Sequence, residues 1–394
     1  MKPYKILIVE DQLFQLMHLQ HQFNKLGDFH LDAARNGHEA LELLNSRPFD
    51  LVLTDLLMPE MDGVQFIQKL ALLSSKPALA IMSVASRRMM KAAGLVAQNM
   101  GVTVIGLISK PINLKALNTL SERLNELALT EKIINLQPLS PDRETLIEAM
   151  RSGQLLPWYQ PKKSLASGRI VAAEALARWV HPEHGLLLPA TFLPAIQIFE
   201  LEEHLLMQCL SHTINAQTYW CHRGYEVPVS INLPTHFLDS DDLADRLHDF
   251  VLQRHGKPHN ISFELVESST TQDISSYYAG ACRLRMKGFG LAQDDFGNGF
   301  SSYLSLISMP FTELKIDRSL VHGCHENEGL TSVLSSIITM GTQLGLTVVA
   351  EGVETQQELA LLRKLNCTQV QGFLISPAVS FECLKLLLIN DGPQ

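Results

Sequence analysis

No two cysteines of this chain stand in a CxxC spacing, and its 6 cysteines are scattered over 394 residues. That excludes a zinc ribbon and a disulfide framework, and it predicts buried or free thiols in a reducing compartment. There is no basic run. The formal net charge is -9, which argues against a nucleic-acid-binding surface and predicts no DNA partner. No apolar stretch is long enough to span a bilayer, and the opening YKILIVED enters a strand with no basic-then-apolar leader. A cytoplasmic protein with no membrane partner is therefore expected. The leucine-rich CLKLLLIN near the end is short and broken by Lys385, which suits a terminal helix packed on a domain. There is no internal repeat and no low-complexity tract. What remains is ordinary globular composition, 46% hydrophobic and 19% charged, over a length that allows two or three domains.

The chemistry is densest in LAQDDFGNGFSS, Leu291 to Ser302. An apolar lead-in runs into Asp294 and Asp295, followed by Gly297, Gly299 and the hydroxyls of Ser301 and Ser302. Two acids at the mouth of a buried strand repel each other unless something positive sits between them. The usual positive group is a divalent metal held by hard oxygen ligands. A lone Asp-Asp pair more often opens a solvated loop, so its company decides. Glu174 follows the run Ile170 to Ala173, and Asn232 closes VPVSIN. Glu264 and Glu267 punctuate ISFELVE, and Lys315 and Asp317 end ELKID. Glu351 and Glu354 follow TVVA, and Gln371 and Gly372 sit in QVQGF. Each polar residue follows a short apolar β-type run, and helical stretches separate the runs. A (β/α)8 TIM-type barrel gathers its chemistry in this way at the C-terminal ends of its strands, and the second half is predicted to be one.

The first part alternates KILIVE, FHLDAA, FDLVLTD, ALAIMS and VTVIGLIS with helical segments such as Gly37 to Asn45 and Gly63 to Leu73. This is the pattern of a parallel sheet wrapped by helices, here a doubly wound (βα)5 α/β domain. Ligands of such sheets bind at the carboxyl ends of the strands, where Glu10, Asp11, Asp55, Ser83 and Lys110 stand. Glu10 and Asp11 can hold Mg2+ beside Asp55, which would be the nucleophile and phosphoacceptor. Lys110 and the metal would offset phosphoryl charge, and the Ser83 hydroxyl would hydrogen-bond a phosphoryl oxygen. A helix with leucines at 114, 117, 120, 124 and 127 follows, read as the last helix of this domain or, in the alternative, as one extended through Ile134 for signalling or dimer contact, and QPLSPD then breaks it. The expected division is 1–127, a linker over 128–145, and a barrel over 146–394.

These residues carry two family resemblances. TDLLMPEMDG around Asp55, with the positions just named, resembles the receiver domain of two-component response regulators over about Tyr4 to Leu127. This implies a sensor histidine kinase as phosphodonor. The switch position three residues before the lysine, usually aromatic, is Leu107. From about Leu146 onward, YQPK, EALAR, SINLP, FELVE, DDFGNGFSS, LKIDRS, EGVE and QGF resemble an EAL-type phosphodiesterase, which hydrolyses the bacterial second messenger cyclic di-GMP.

The second resemblance implies metal-dependent hydrolysis to linear pGpG, and a receiver fused to such an enzyme implies regulation by phosphorylation at Asp55. It implies that Glu174, Asn232, Glu264 and Asp294 hold one metal, and that Asp294 bridges to a second held by Asp295 with Glu351 near by. Mg2+ or Mn2+ suits such oxygen ligands. Lys315 would orient the attacking water or offset developing charge, and Glu351 would act as general base or as a ligand. Glu267 would pin the loop Phe296 to Ser302. Gln160, Arg178, Glu354 and Gln371 would contact the dinucleotide. The chain departs from the family at Pro234, Gln197 and the SPAVS stretch, none of them an implied ligand. A different reading is a catalytically silent EAL module that senses cyclic di-GMP or binds a partner protein. Such modules lose ligands, and this chain keeps them. There is no GGDEF-like stretch, and His248-Asp249 has no GYP partner, which makes it a helix-surface pair. A homo-oligomer is expected.

Overall fold

The computed structural model describes residues 3–27, 29–134, 141–266, 274–297 and 303–392. Backbone contacts divide the chain into two units, Met1–Pro138 and Leu139–Gln394.

In the first unit the five apolar runs form parallel strands: β1 (Tyr4–Val9), β2 (Phe29–Ala34), β3 (Leu51–Asp55), β4 (Ala78–Ser83) and β5 (Val104–Ser109). Their order is β2-β1-β3-β4-β5. β3 and β4 are buried along their whole length, as central strands covered on both faces must be. Alternate residues feed two cores, one holding Val9, Val52 and Ile81, the other Ile8, Leu53 and Ala80. The doubly wound fold expected from the alternation is present. The helix Leu114–Ile134 buries Leu117, Leu120 and Leu124 against the sheet and leaves Leu114 exposed. It continues past the end expected at Leu127. Residues 135–140, which include the start of QPLSPD, lie outside the described residues. The next helix, Arg143–Arg151, starts ahead of the expected boundary at 146, because the Asp142 carboxylate caps it by accepting the Thr145 N–H at 2.8 Å.

The second unit contains β6 (Leu155–Ser164), β7 (Ile170–His181), β8 (Gly185–Leu187), β9 (Val229–Asn232), β10 (Ile261–Val266), β11 (Gly290–Phe296), β12 (Glu313–Ile316), β13 (Thr347–Ala350) and β14 (Gln369–Val370). The sheet runs β6-β14-β13-β12-β11-β10-β9-β7, and pairing of β6 with β7 closes it into the expected barrel. β8 only extends β7 as a hairpin. One feature departs from a uniform alternation of strand and helix. β6 runs antiparallel to both its neighbours, β7 and β14, whereas the remaining barrel pairs are parallel. The barrel therefore begins with a hairpin whose register sets Gln160 opposite Glu174. The outer layer is apolar: the helix Glu202–Cys221 buries Leu206, Leu210 and Trp220, and Trp220 meets Tyr159 of β6 edge-on at 5.3 Å. The terminal helix Phe381–Asp391 buries Leu384 and Leu388, as CLKLLLIN suggested. All six cysteines are free. Among the described residues, no helix is long and apolar enough to cross a membrane.

In the first unit, the turn after β3 leaves no room beside Asp55. A Cβ on Gly63 would stand 2.3 Å from the Asp55 carbonyl oxygen and 2.6 Å from Leu56 Cα. Both are backbone atoms that cannot rotate away. Gly63→Ala is therefore expected to lower the stability of this unit by about 1–3 kcal/mol. Urea unfolding followed in the wild type and the variant checks this, and an unshifted midpoint would show that the turn is slack.

Candidate active site

The barrel site is built around Lys315 of β12. Its side chain is 1% exposed, and its Nζ lies 2.6 Å from Glu264, 2.8 Å from Glu351, 2.9 Å from Asp294 and 3.3 Å from Glu174. Carboxylates from β7, β10, β11 and the residue after β13 thus converge on one ammonium. The positive group that the paired acids require is, within the chain itself, this lysine.

Each acid is placed by its own local device. Glu174 sits inside β7 and not at its end. Its Oε1 accepts from Asn232 Nδ2 at 3.3 Å and its Oε2 from Gln371 Nε2 at 2.6 Å. Gln371 also donates to Gln160 Oε1 at 3.0 Å, and Gln160 Nε2 donates to the Ser376 carbonyl at 3.1 Å. Gln160 and Gln371, implied as dinucleotide contacts, here brace Glu174. Asp294 and Asp295 are neighbours in a strand and would ordinarily point to opposite faces. Between Gln293 and Phe296 the register with β12 slips, and Asp295 adopts a left-handed backbone with φ 52°. This bulge turns both acids toward Glu351, and one oxygen from each of the three lies within 4.8 Å of the others.

Glu351 and Glu354 stand on a loop fixed from two sides. The Val353 N–H donates to the Gln371 carbonyl at 3.1 Å, and a Cβ on Gly372 would come within 2.3 Å of the Val353 backbone. The Glu358 carboxylate, 1% exposed, accepts the N–H groups of Gly323, Glu354 and Thr355 at 2.9, 2.9 and 3.0 Å. Glu358 escaped the sequence reading, although Thr355-x-x-Glu358 is the signature of a capping box and forms one here. Lys162 escaped it too. It is fully buried inside the barrel and bonds Glu264 and Glu313. Arg178 is half-buried and donates to the Ala177 carbonyl at 2.9 Å, and no carboxylate pairs with it among the described residues. Glu354 is exposed. Glu267, and the loop residues 298–302, lie outside the described residues. A cavity of 510 Å3 lined by Leu193, Ile196, Gln197 and His236 shares Asn232 and Glu264 with the acid cluster.

The electrostatics show a site short of positive charge. Burial pushes Glu351 up to about 8 and Glu174 up to about 7, with Lys315 opposing and the neighbouring acids reinforcing the rise. Asp295 rises through burial and the charges of Asp294 and Asp317. Glu264 moves the other way, to about 2: burial would raise it, but Lys315 and Lys162 outweigh that. Burial would lower Lys315, but Glu174, Glu264, Glu351 and Asp294 together hold it well above its ordinary value. Asp294 Oδ1 is buried, and the Lys315 ammonium stands 2.9 Å from it. An oxygen-only set of carboxylates and amides with surplus negative charge fits a divalent cation of the oxygen-seeking kind.

The first unit repeats the arrangement on a smaller scale. Lys110, which follows β5 and precedes a cis bond to Pro111, donates to Glu10 Oε2 at 2.7 Å and to Asp55. Oxygens of Glu10, Asp11 and Asp55 lie within 4.8 Å of one another, and Asp11 Oδ1 is buried without a hydrogen bond. Burial raises the Glu10 carboxyl. Ser83 ends β4, and its Oγ accepts the Ala85 N–H at 3.1 Å. Leu107 is 38% exposed. All five residues singled out in the sequence stand at the carboxyl edge of the sheet.

Glu174 and Glu351 give the metal-free barrel a pH dependence of definite sign. The folded chain keeps protons on them that the unfolded chain releases near 4.5. The stability they contribute is complete below that value and is lost as pH rises through their folded values. Glu264 titrates below this window and does not oppose it. With a chelator present, the thermal midpoint of the second unit is expected to fall by several degrees between about pH 5 and about pH 8.5, and added Mg2+ is expected to flatten the slope. Calorimetry across that range decides, and a rising midpoint would contradict the assignment.

Two family models match the chain: the EAL domain over residues 143–378 and the response regulator receiver domain over residues 6–122. Cyclic di-GMP phosphodiesterase RocR of Pseudomonas aeruginosa is 28% identical over 381 residues, covering 95% of this chain and 96% of RocR. Oxygen sensor protein DosP of Escherichia coli is 34% identical over 232 residues, 59% of this chain but only 29% of DosP. A solved structure of the PaMucR phosphodiesterase in complex with c-di-GMP superimposes with a TM-score of 0.57 at 32% identity, covering 61% of this chain and 97% of that one. The chain belongs to the EAL domain family, and it carries a response regulator receiver domain ahead of its EAL barrel.

Proposed function

We propose that this protein hydrolyses cyclic di-GMP to linear pGpG with the help of two divalent cations, Mg2+ or Mn2+, and that phosphorylation of Asp55 raises the rate. The observation that carries the first part is the convergence of Glu174, Glu264, Asp294 and Glu351 on the single ammonium of Lys315, which leaves the site short of positive charge. RocR, which matches nearly the whole chain, is a cyclic di-GMP phosphodiesterase. In this reading the receiver spans 1–127, the connection 128–145 and the phosphodiesterase 146–394. The protein works in the cytoplasm as a homo-oligomer, takes its phosphoryl group from a sensor histidine kinase with Mg2+ in the receiver, and binds no DNA.

Glu174, Asn232, Glu264 and Asp294 would hold one cation, and Asp294 and Asp295 the other, with Glu351 beside them as general base or, in the alternative, as a further ligand. When bound, such a pair supplies activation of a water and stabilisation of charge at phosphorus. The chain's own residues do the rest. Arg178 suits a phosphate oxygen, and Gln160, Glu354 and Gln371 hold the dinucleotide beside the acids. Lys315 orients the attacking water and offsets charge growing on the phosphoryl oxygens. As the base, Glu351 in its carboxylate form, which bound cations favour, takes a proton from the water. The water oxygen bonds to phosphorus, the bond from phosphorus to the 3′ oxygen breaks, and that oxygen leaves with a proton. Glu267 keeps the loop after Asp295 in register.

Incubating the purified chain with cyclic di-GMP and Mg2+ and separating the products tests this. Wild type is expected to yield pGpG, and Glu174→Ala is expected to yield none while its circular dichroism stays unchanged. Lys315→Ala is expected to lower kcat by about 100- to 1,000-fold with little change in KM, because its part lies in the transition state. A raised KM at unchanged kcat would make Lys315 a substrate-binding residue instead.

The receiver adds a second test. A phosphoryl group on Asp55 brings negative charge beside Lys110 and reorders the Ser83 loop. In this reading the barrel loop after Asp295, which carries Gly297 and Gly299, is the part that shifts between two arrangements. Coupling of this kind amounts to about 1–3 kcal/mol, or roughly 5- to 150-fold in rate. Leu107 in place of an aromatic side chain puts the expectation at the low end. Wild type treated with a small phosphodonor should make pGpG faster, and Asp55→Asn should not respond. Equal rates with and without donor, once Asp55 is shown to be phosphorylated, would make the receiver an assembly module.

A further inference from the structure

Beneath the acid cluster the barrel interior holds a second ammonium. Lys162 of β6 is 0% exposed. Its Nζ donates to Ser230 Oγ on β9 at 2.7 Å, Glu264 Oε1 on β10 at 3.2 Å and Glu313 Oε1 on β12 at 2.5 Å. An ammonium has three protons, and here each is directed at a different strand. Glu264 in turn lies between two lysines: Oε1 faces Lys162, and Oε2 accepts from Lys315 at 2.6 Å. Charge alternates down the interior from Lys315 through Glu264 and Lys162 to Glu313. Branched apolar residues ordinarily fill such a barrel, and a buried ammonium is costly next to a hydrophobic side chain of similar volume. The arrangement has one evident mechanical effect. A carboxylate gripped at both oxygens from opposite sides cannot turn about its last torsion.

We propose that Lys162 is a positioning residue of the metal site: it fixes the plane of the Glu264 carboxylate without touching cation or substrate. The inference rests on the reading of Glu264 as a ligand. Its sign is distinctive. The charge of Lys162 by itself repels a dication, so if the lysine acted only through charge, removing it would tighten metal binding. If it acted only as packing, removal would lower the melting temperature and leave binding by the folded chain unchanged. Positioning predicts weaker binding, because partners that orient a ligand set metal affinity.

The experiment titrates the full-length chain with Mn2+ and follows the electron paramagnetic resonance signal of the free ion. Glu264→Gln defines what binds elsewhere, the Glu10, Asp11 and Asp55 cluster included. Wild type is expected to show a class of sites that Glu264→Gln lacks, and Lys162→Met is expected to weaken that class by about 10- to 100-fold. The single change strands the Glu313 carboxylate. The double variant Lys162→Met with Glu313→Gln removes both charges, and its folded form should show the same weakening. Binding by the double variant at the wild-type level, or tighter, overturns the positioning role. Equal binding by wild type and Glu264→Gln overturns instead the assignment of Glu264 as a ligand.

Discussion

Four carboxylates converge on the ammonium of Lys315 inside the barrel, and the rest of the catalytic half follows from how that charge is balanced. An ion taken out of water costs several kcal/mol even after relaxation, and a buried pair that loses one partner is destabilised by about 3–5 kcal/mol. The acids come from different strands, so they meet only when the barrel has closed. The closed barrel in turn tolerates them only because Lys315 and Lys162 are already there. Even so the balance is incomplete. Burial and the neighbouring acids push Glu174 and Glu351 up, toward holding protons. A site in this condition has a ready use for further positive charge.

The receiver half rests on the same physics with fewer parts. One strand-end lysine, Lys110, reaches two acids, Glu10 and Asp55, while an Asp11 oxygen is left without a partner. The difference lies in number. In the first unit one ammonium faces two carboxylates, whereas in the barrel one ammonium faces four.

How far the sequence speaks for itself varies from element to element. The strands of the first unit were legible because a parallel strand covered on both faces has to be a short unbroken apolar run, and β3 and β4 are buried at every residue. The helix from Leu114 takes the longer of the two ends its sequence allowed, Ile134, although its leucine spacing stops at Leu127. Most of the acids were legible because each ends or interrupts an apolar run. The convergence of Asp294 and Asp295 was not, since strict alternation separates neighbours, and only the register slip beside Asp295 brings them together. Lys162 was hidden for a related reason. A lysine in an alternating strand reads as solvent-facing, and nothing local reveals that its side faces Ser230, Glu264 and Glu313. The direction of β6 is equally silent, because pairing partners far away in the chain decide it.

That direction has a mechanical corollary. Since β6 opposes β7, its first residue, Leu155, pairs with Trp179, well beyond Glu174 toward the carboxyl end of β7. In a barrel of uniformly parallel strands the polypeptide would arrive at the floor, with the full height of the sheet between its point of entry and the chemistry. Here it arrives at the ceiling. A pull or twist that passes the helix Arg143–Arg151 enters the sheet at this end, on a strand whose sixth residue, Gln160, is tied to Gln371 and through it to Glu174.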